Sequence, residues 1–190
     1  MNTPNKLSLL RVALIPVMVL FMYLPGWPMV LLSTAVFGAA AYTDYLDGHI
    51  ARRDHLVTDF GKFIDPVADK LLNLSAMIML TMSGLLPQWA VIVILARELA
   101  VDGLRMVAVG QGRVIAAGKL GKIKTVSQMI MIIVLMLIGR LAPMIFPNVS
   151  ALLTVVDVLG WIMVLWVVAI TVWSGVDYFV RNFDCIRNAK

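Results

Sequence analysis

TDYLDGHIARRDHLVTDFGKFIDPVADK runs from Thr43 to Lys70. It lies in a chain that is otherwise mostly Leu, Ile, Val, Ala and Met, and it gathers six aspartates into 28 residues. An ionised carboxylate beside hydrocarbon is costly unless it is hydrated, paired or bound to a cation. The apolar runs that flank this stretch must therefore present it at the edge of a nonpolar medium.

The composition around it names that medium. The chain has 190 residues, 61% of them hydrophobic, and a mean hydropathy of +0.92, whereas a water-soluble domain is about half apolar. It reads as an integral membrane protein. A spanning helix takes about 20 apolar residues, so the length allows roughly six spans in one domain, residues 1–190, with no room for a separate soluble domain. Apolar stretches fall at 7–24, 29–46, 64–85, 88–109, 123–141 and 151–178, separated by Pro25-Gly26-Trp27-Pro28, Gly84 to Pro87, Gly110 to Gly121 and Pro143 to Pro147. The first run is interrupted by Arg11 and followed by PGWP instead of a small-x-small cleavage site, so it is expected to be retained. The leading segment MNTPNKLSLLRVALIP is expected to supply a short interfacial helix before it. The expected fold is an all-α membrane protein: a bundle of six transmembrane helices with a short N-terminal interfacial helix.

Lys and Arg orient the bundle, because segments that stay cytoplasmic carry the excess of positive charge. With the N-terminus inside, thirteen basic residues, from Lys6 and Arg11 to Arg187 and Lys190, fall on the cytoplasmic side or just within it; Arg140 lies outside, and Arg97 and Arg105 sit in the fourth span. Both termini and the Thr43–Lys70 stretch are thus expected at the cytoplasmic surface. The pI near 9.6 is accounted for by basic loops facing anionic headgroups, without nucleic acid. The single cysteine, Cys185, excludes an internal disulfide and a multi-cysteine metal site.

On helices, Asp44 and Asp47 are three apart and share a face, as do Asp65 and Asp69, four apart. The second and third spans are antiparallel and joined by a short loop, so the two faces can meet at one depth and bring four carboxylates together. Such a cluster repels itself unless divalent cations neutralise it. All-oxygen donors select hard ions, Mg²⁺ or Mn²⁺ before Zn²⁺, and a pair of such ions is suited to clamping a diphosphate. Gly48 lets backbone approach a phosphate, Arg52 can neutralise further oxygen charge, and Gly61 leaves space for a flat group such as a nucleobase. Asp54 and Asp59 read as loop or helix-cap residues, and His49 and His55 as interfacial ones.

The string Asp44-xx-Asp47-Gly48-xx-Ala51-Arg52, eight further residues, then Gly61-xxx-Asp65-xxx-Asp69 resembles the signature of the CDP-alcohol phosphatidyltransferases, with no departure at any of its eight fixed positions. The resemblance implies a six-helix membrane bundle, homodimeric, with a site facing the cytoplasm. It implies that Asp44, Asp47 and Asp65 hold metal, that Asp69 joins the second ion and acts as general base, and that Gly48, Ala51, Arg52 and Gly61 shape the CDP pocket. FGKFIDPVADKLL, ARELAVDGLR, GKLGKIKTVSQM and TPNKLSLLRVALIP are similar to segments of the bacterial phosphatidylglycerophosphate synthases of this family. That narrower resemblance implies an enzyme of the bacterial inner membrane that takes CDP-diacylglycerol and sn-glycerol 3-phosphate to phosphatidylglycerophosphate and CMP.

An acceptor with about two negative charges needs its own cationic pocket beside a carboxylate-rich centre. Arg97 and Arg105 in the fourth span, with Lys122 and Lys124 at the start of the fifth, are the candidates. The two arginines are eight apart, near one helix face and about 12 Å along its axis. Glu98 and Asp102 offer a competing use for these arginines as ion-pair partners. Three other readings stand beside this one: the same chemistry with inositol phosphate, serine or a phosphatidyl lipid as acceptor, an aspartate-rich prenyltransferase, and a small cation transporter. The GxxAR and GxxxDxxxD continuation disfavours the prenyltransferase. Clustering of the acids at one mouth, together with Gly48 and Arg52, disfavours the transporter.

Overall fold

Glycine and proline set the helix ends. In the computed structural model, α3 (Asp59–Met82) and α4 (Gln88–Gly110) both close on a left-handed glycine, Gly84 at φ +75° and Gly112 at φ +74°. The amide of Leu85 reaches back to the carbonyl of Leu80, and that of Arg113 to Ala108, with Gly84 and Gly112 bonding Thr81 and Val109. This is the Schellman arrangement, and it satisfies carbonyls that lipid would leave unpartnered. Pro87, extended at φ −72° and ψ 141°, then opens α4.

The structure describes residues 3–53, 59–113, 115–116 and 118–184, with side chains described for 6–43, 61, 64–113, 115–116 and 118–184. Every regular element among them is helical: α1 (Thr3–Tyr23), α2 (Trp27–Arg53), α3, α4, α5 (Lys119–Val134), α6 (Arg140–Ile145) and α7 (Ser150–Arg181). A π-helical stretch, Leu135–Gly139, joins α5 to α6 into one rod. Its cause is local: Pro143 has no N–H for the carbonyl of Gly139, and the turn before it widens. Six rods result among the described residues, as expected for six spans. The segment expected as a separate interfacial helix is the first part of α1, which runs unbroken from Thr3 because Pro4 falls in the first turn, where a missing N–H is harmless.

Three stretches are long and apolar enough to cross a membrane, Lys6–Tyr23, Lys119–Ile145 and Ser150–Arg181, and α2 adds an apolar stretch over Trp27–Thr43. At 27 residues, α2 is about 40 Å long, longer than a hydrocarbon core of about 30 Å. Its surplus is the polar part, Asp44 to Arg53.

α1 packs along both α2 and α3, while α4 and α5 pack against α7. A core of Met18, Phe37, Leu72, Leu80, Ile94, Met131, Ile132 and Val164 ties the two groups together. Large apolar residues on the outside, among them Trp161, Trp166 and Trp173 of α7, give the lipid-facing surface.

Candidate functional site

Five cross-helix contacts mark one end of the bundle as polar. α1 brings Ser8 to α3, where its Oγ donates to Asp65 Oδ1, and Arg11 to α2, where Nε donates to the Ala40 carbonyl at 3.2 Å. Lys70 of α3 pairs with Asp102 of α4. Lys124 of α5 pairs with Glu98 of α4. Arg105 of α4 donates from Nε to the Tyr178 hydroxyl of α7 at 3.2 Å.

The acidic half of the site is carried by α2 and α3. Asp44, Asp47, Gly48, Ala51 and Arg52 all lie on the last turns of α2, and Gly61, Asp65 and Asp69 on the first turns of α3. The side chains of Asp44, Asp47, Ala51 and Arg52 lie outside the described residues, as does Gly48 beyond its helical backbone, and so do Asp54 and His55. Gly61 is buried, and Asp65 and Asp69 are half-buried. Asp69 is held from its own helix: Asn73 Nδ2 donates to the Asp69 carbonyl at 3.0 Å and to Oδ1 at 3.1 Å. The chemistry of this donor set fits a hard divalent ion, since the four candidates are carboxylates only.

The basic half is a cavity of about 730 Å³ between α4, α5 and α7. Arg97, Arg105 and Lys122 line it together with the carboxylates Glu98, Asp102 and Asp177 and with Ser174 and Tyr178. Sequence spacing alone put the two arginines on one face, and both do reach this cavity. Their expected competitors line the same cavity: Glu98, paired with Lys124, and Asp102, paired with Lys70. Arg97 fits because its neighbours are small, with Gly175 of α7 so close that a Cβ there would stand 3.0 Å from Arg97 Cγ, and Gly121 of α5 so close that one would stand 3.8 Å from Nη2. Arg105 is steadied by Tyr178, whose ring centroid lies 5.6 Å from Cζ. Lys124 is not among the lining residues; only 2% exposed, it serves Glu98.

Several members of this arrangement carried no sequence signal strong enough to single them out. Ser8 and Tyr178 are ordinary residues in apolar runs, and Arg11 read as a positive-inside charge, though it is fully buried. Asn73 had a signal, a polar residue four after Asp69 on the face that α3 buries.

Fold and site together define an integral membrane protein whose polar chemistry, acidic on one side and basic on the other, is concentrated at one end of a helical bundle. The chain belongs to the CDP-alcohol phosphatidyltransferase family, whose model matches residues 1–173, and it is a phosphatidyltransferase. Enzymes of this family use divalent metal ions. It is 41% identical to the CDP-diacylglycerol--glycerol-3-phosphate 3-phosphatidyltransferase of Bacillus subtilis (strain 168), over all of this chain and 99% of the relative. Proteins of the same name from Rickettsia felis and Pseudomonas fluorescens are each 36% identical over 94% of this chain, covering 93% and 88% of their own lengths.

Proposed function

We propose that the protein transfers the phosphatidyl group of CDP-diacylglycerol to sn-glycerol 3-phosphate, giving phosphatidylglycerophosphate and CMP, the reaction for which its full-length relatives are named. The observation that carries the acceptor is the basic cavity. Arg97, Arg105 and Lys122 converge on one volume, and the bridge from Lys70, next to Asp69, to Asp102 in the cavity wall ties it to the carboxylate helix.

In this reading Asp44, Asp47, Asp65 and Asp69 hold two divalent ions, Mg²⁺ or Mn²⁺. Bound ions supply neutralisation of the diphosphate and of charge that develops as CMP departs. Gly48, Ala51, Arg52 and Gly61 seat the CDP group, with Gly48 and Gly61 giving room and Arg52 countering phosphate charge. Arg97, Arg105 and Lys122 hold the acceptor's phosphate, and Lys124 pairs with Glu98 of the same cavity wall. Asp69 takes the proton from the acceptor's primary hydroxyl as its oxygen bonds to the phosphatidyl phosphorus and the bond to CMP breaks. Asn73 holds Asp69 for that transfer.

A site at the helix mouths suits both substrates, since the lipid donor stays in the bilayer and the acceptor arrives from water. The excess of Lys and Arg supports placing this end in the cytoplasm, with both termini inside, in the inner membrane of a bacterium. The working form is a homodimer. The test is CMP release by purified protein given CDP-diacylglycerol and one acceptor at a time. Turnover with sn-glycerol 3-phosphate is expected; release only with inositol phosphate, serine or a phosphatidyl lipid would overturn the acceptor, and none with any alcohol would overturn the reaction.

A further inference from the structure

The face that α1 turns into the bundle is polar where its other faces are not. Ser8 and Arg11 are both fully buried, while Leu9 and Leu10 between them are 39% and 47% exposed. Three apart, they share one side of α1. That side meets α3 at Asp65 and α2 at Ala40, one turn before Asp44. α1 thus stands behind the two helices that carry the acidic motif.

Ser8 carries its hydroxyl across to another helix. Ser33, Thr34, Thr81, Ser83 and Ser174 each donate to a carbonyl three or four residues earlier in their own helix. That local bond is the ordinary way for a hydroxyl in a membrane helix to satisfy itself. Ser8 reaches a carboxylate 57 residues away. A hydroxyl donating to an ionised carboxylate makes a bond roughly twice as strong as a neutral one, and with Ser8 inaccessible to solvent no water competes for it. The bond restrains Oδ1. Asp69 is restrained the same way by buried Asn73.

We infer that Ser8 is a positioning residue of the metal site: it holds Asp65 from behind through Oδ1 and so presents the remaining oxygen lone pairs toward the acidic motif of α2. The inference rests on the reading of Asp65 as a metal-holding carboxylate. Outer partners of this kind are worth about 10–100-fold in metal affinity or activity. A hydroxyl supplied by a third helix also makes metal affinity depend on how α1 docks, and α1 bears no residue of the aspartate motif.

The experiment measures Mn²⁺ alone, through the EPR signal of the free ion, on full-length wild type, Ser8→Ala, Ser8→Thr and Asp65→Asn in detergent, with thermal unfolding followed with and without Mn²⁺. Ser8→Ala is expected to weaken Mn²⁺ binding by about 10-fold and to shrink the rise in unfolding temperature that Mn²⁺ produces, and Ser8→Thr to restore both. Wild-type Mn²⁺ affinity in Ser8→Ala, even with a lowered metal-free unfolding temperature, would overturn the inference and leave Ser8 a helix-docking residue. Asp65→Asn binding Mn²⁺ as well as wild type would instead remove the metal reading of Asp65 and the inference with it. Should Ser8→Ala fail to fold, Ser8→Cys, a weaker donor of similar size, is judged by the same two outcomes.

Discussion

Lys124 of α5 and Glu98 of α4 form an ion pair buried at the wall of the basic cavity, the lysine 2% and the glutamate 17% exposed. The pair crosslinks two helices that line the cavity and offsets a carboxylate that shares the wall with Arg97. Breaking such a pair from one side leaves a buried charge without compensation. Lys124→Met is therefore expected to lower stability by on the order of 3 kcal/mol, and Glu98→Leu in the same chain to recover most of it. Thermal unfolding of the single and double variants checks this. A single variant of wild-type stability whose KM for glycerol 3-phosphate rises would make Lys124 a phosphate ligand.

Arg105 is aimed by Tyr178, through the bond from Nε to its hydroxyl and the ring beside Cζ. Tyr178→Phe keeps the ring and removes the acceptor, which costs about 1 kcal/mol and raises the KM for glycerol 3-phosphate by about 5-fold. Arg105→Ala removes the charge-assisted bonds themselves and is expected to lower kcat/KM by about 100-fold, on the order of 3 kcal/mol. Steady-state kinetics over a range of acceptor concentrations separates the two. Equal effects would mean that the tyrosine serves some purpose other than aiming the arginine.

The absence of a side chain at Gly175 is what admits Arg97 between α4 and α7. A methyl group there would lie 3.0 Å from Arg97 Cγ, near the base of that side chain, where it has little freedom to swing aside. Gly175→Ala should cost about 1–3 kcal/mol of stability as an overpacked contact. It should also raise the acceptor KM without changing that for CDP-diacylglycerol. A rise in the donor KM alone would detach Arg97 from the acceptor.

For Asp69 the expected outcome is a loss of CMP release by about 10²–10⁴-fold in Asp69→Asn, the range for removal of a general base, with the fold retained. Chelation of divalent ions should silence the wild-type enzyme in the same assay, and added Mg²⁺ or Mn²⁺ should restore it. Full turnover in Asp69→Asn would show that another group takes the proton.

Much of the architecture was legible in the chain because its causes are local. Gly84 with Pro87, and Gly112, end helices by backbone geometry, so the predicted 88–109 span closely matches Gln88–Gly110. The polar end of α2 was harder to bound. Apolar content fades after residue 46, yet the helix runs to Arg53, since nothing in DGHIARR breaks it once the end has left hydrocarbon. The break at Leu135–Gly139 also escaped a hydropathy reading, which senses Pro143 only as a loop signal.

The membrane class, the number of spans, the spacing that puts each pair of aspartates on one helix face, and the family signature were all written in the chain itself. Each depends on residues within a few turns of one another. Tertiary structure decided which charges cancel and which stay available. Glu98 and Asp102 are paired with Lys124 and Lys70 from other helices, on the cavity wall that they share with Arg97 and Arg105. Ser8, unremarked in the sequence, is committed to Asp65. In a low-dielectric bundle a buried polar group must find its partner across helices, and separation along the chain does not reveal which helices will meet.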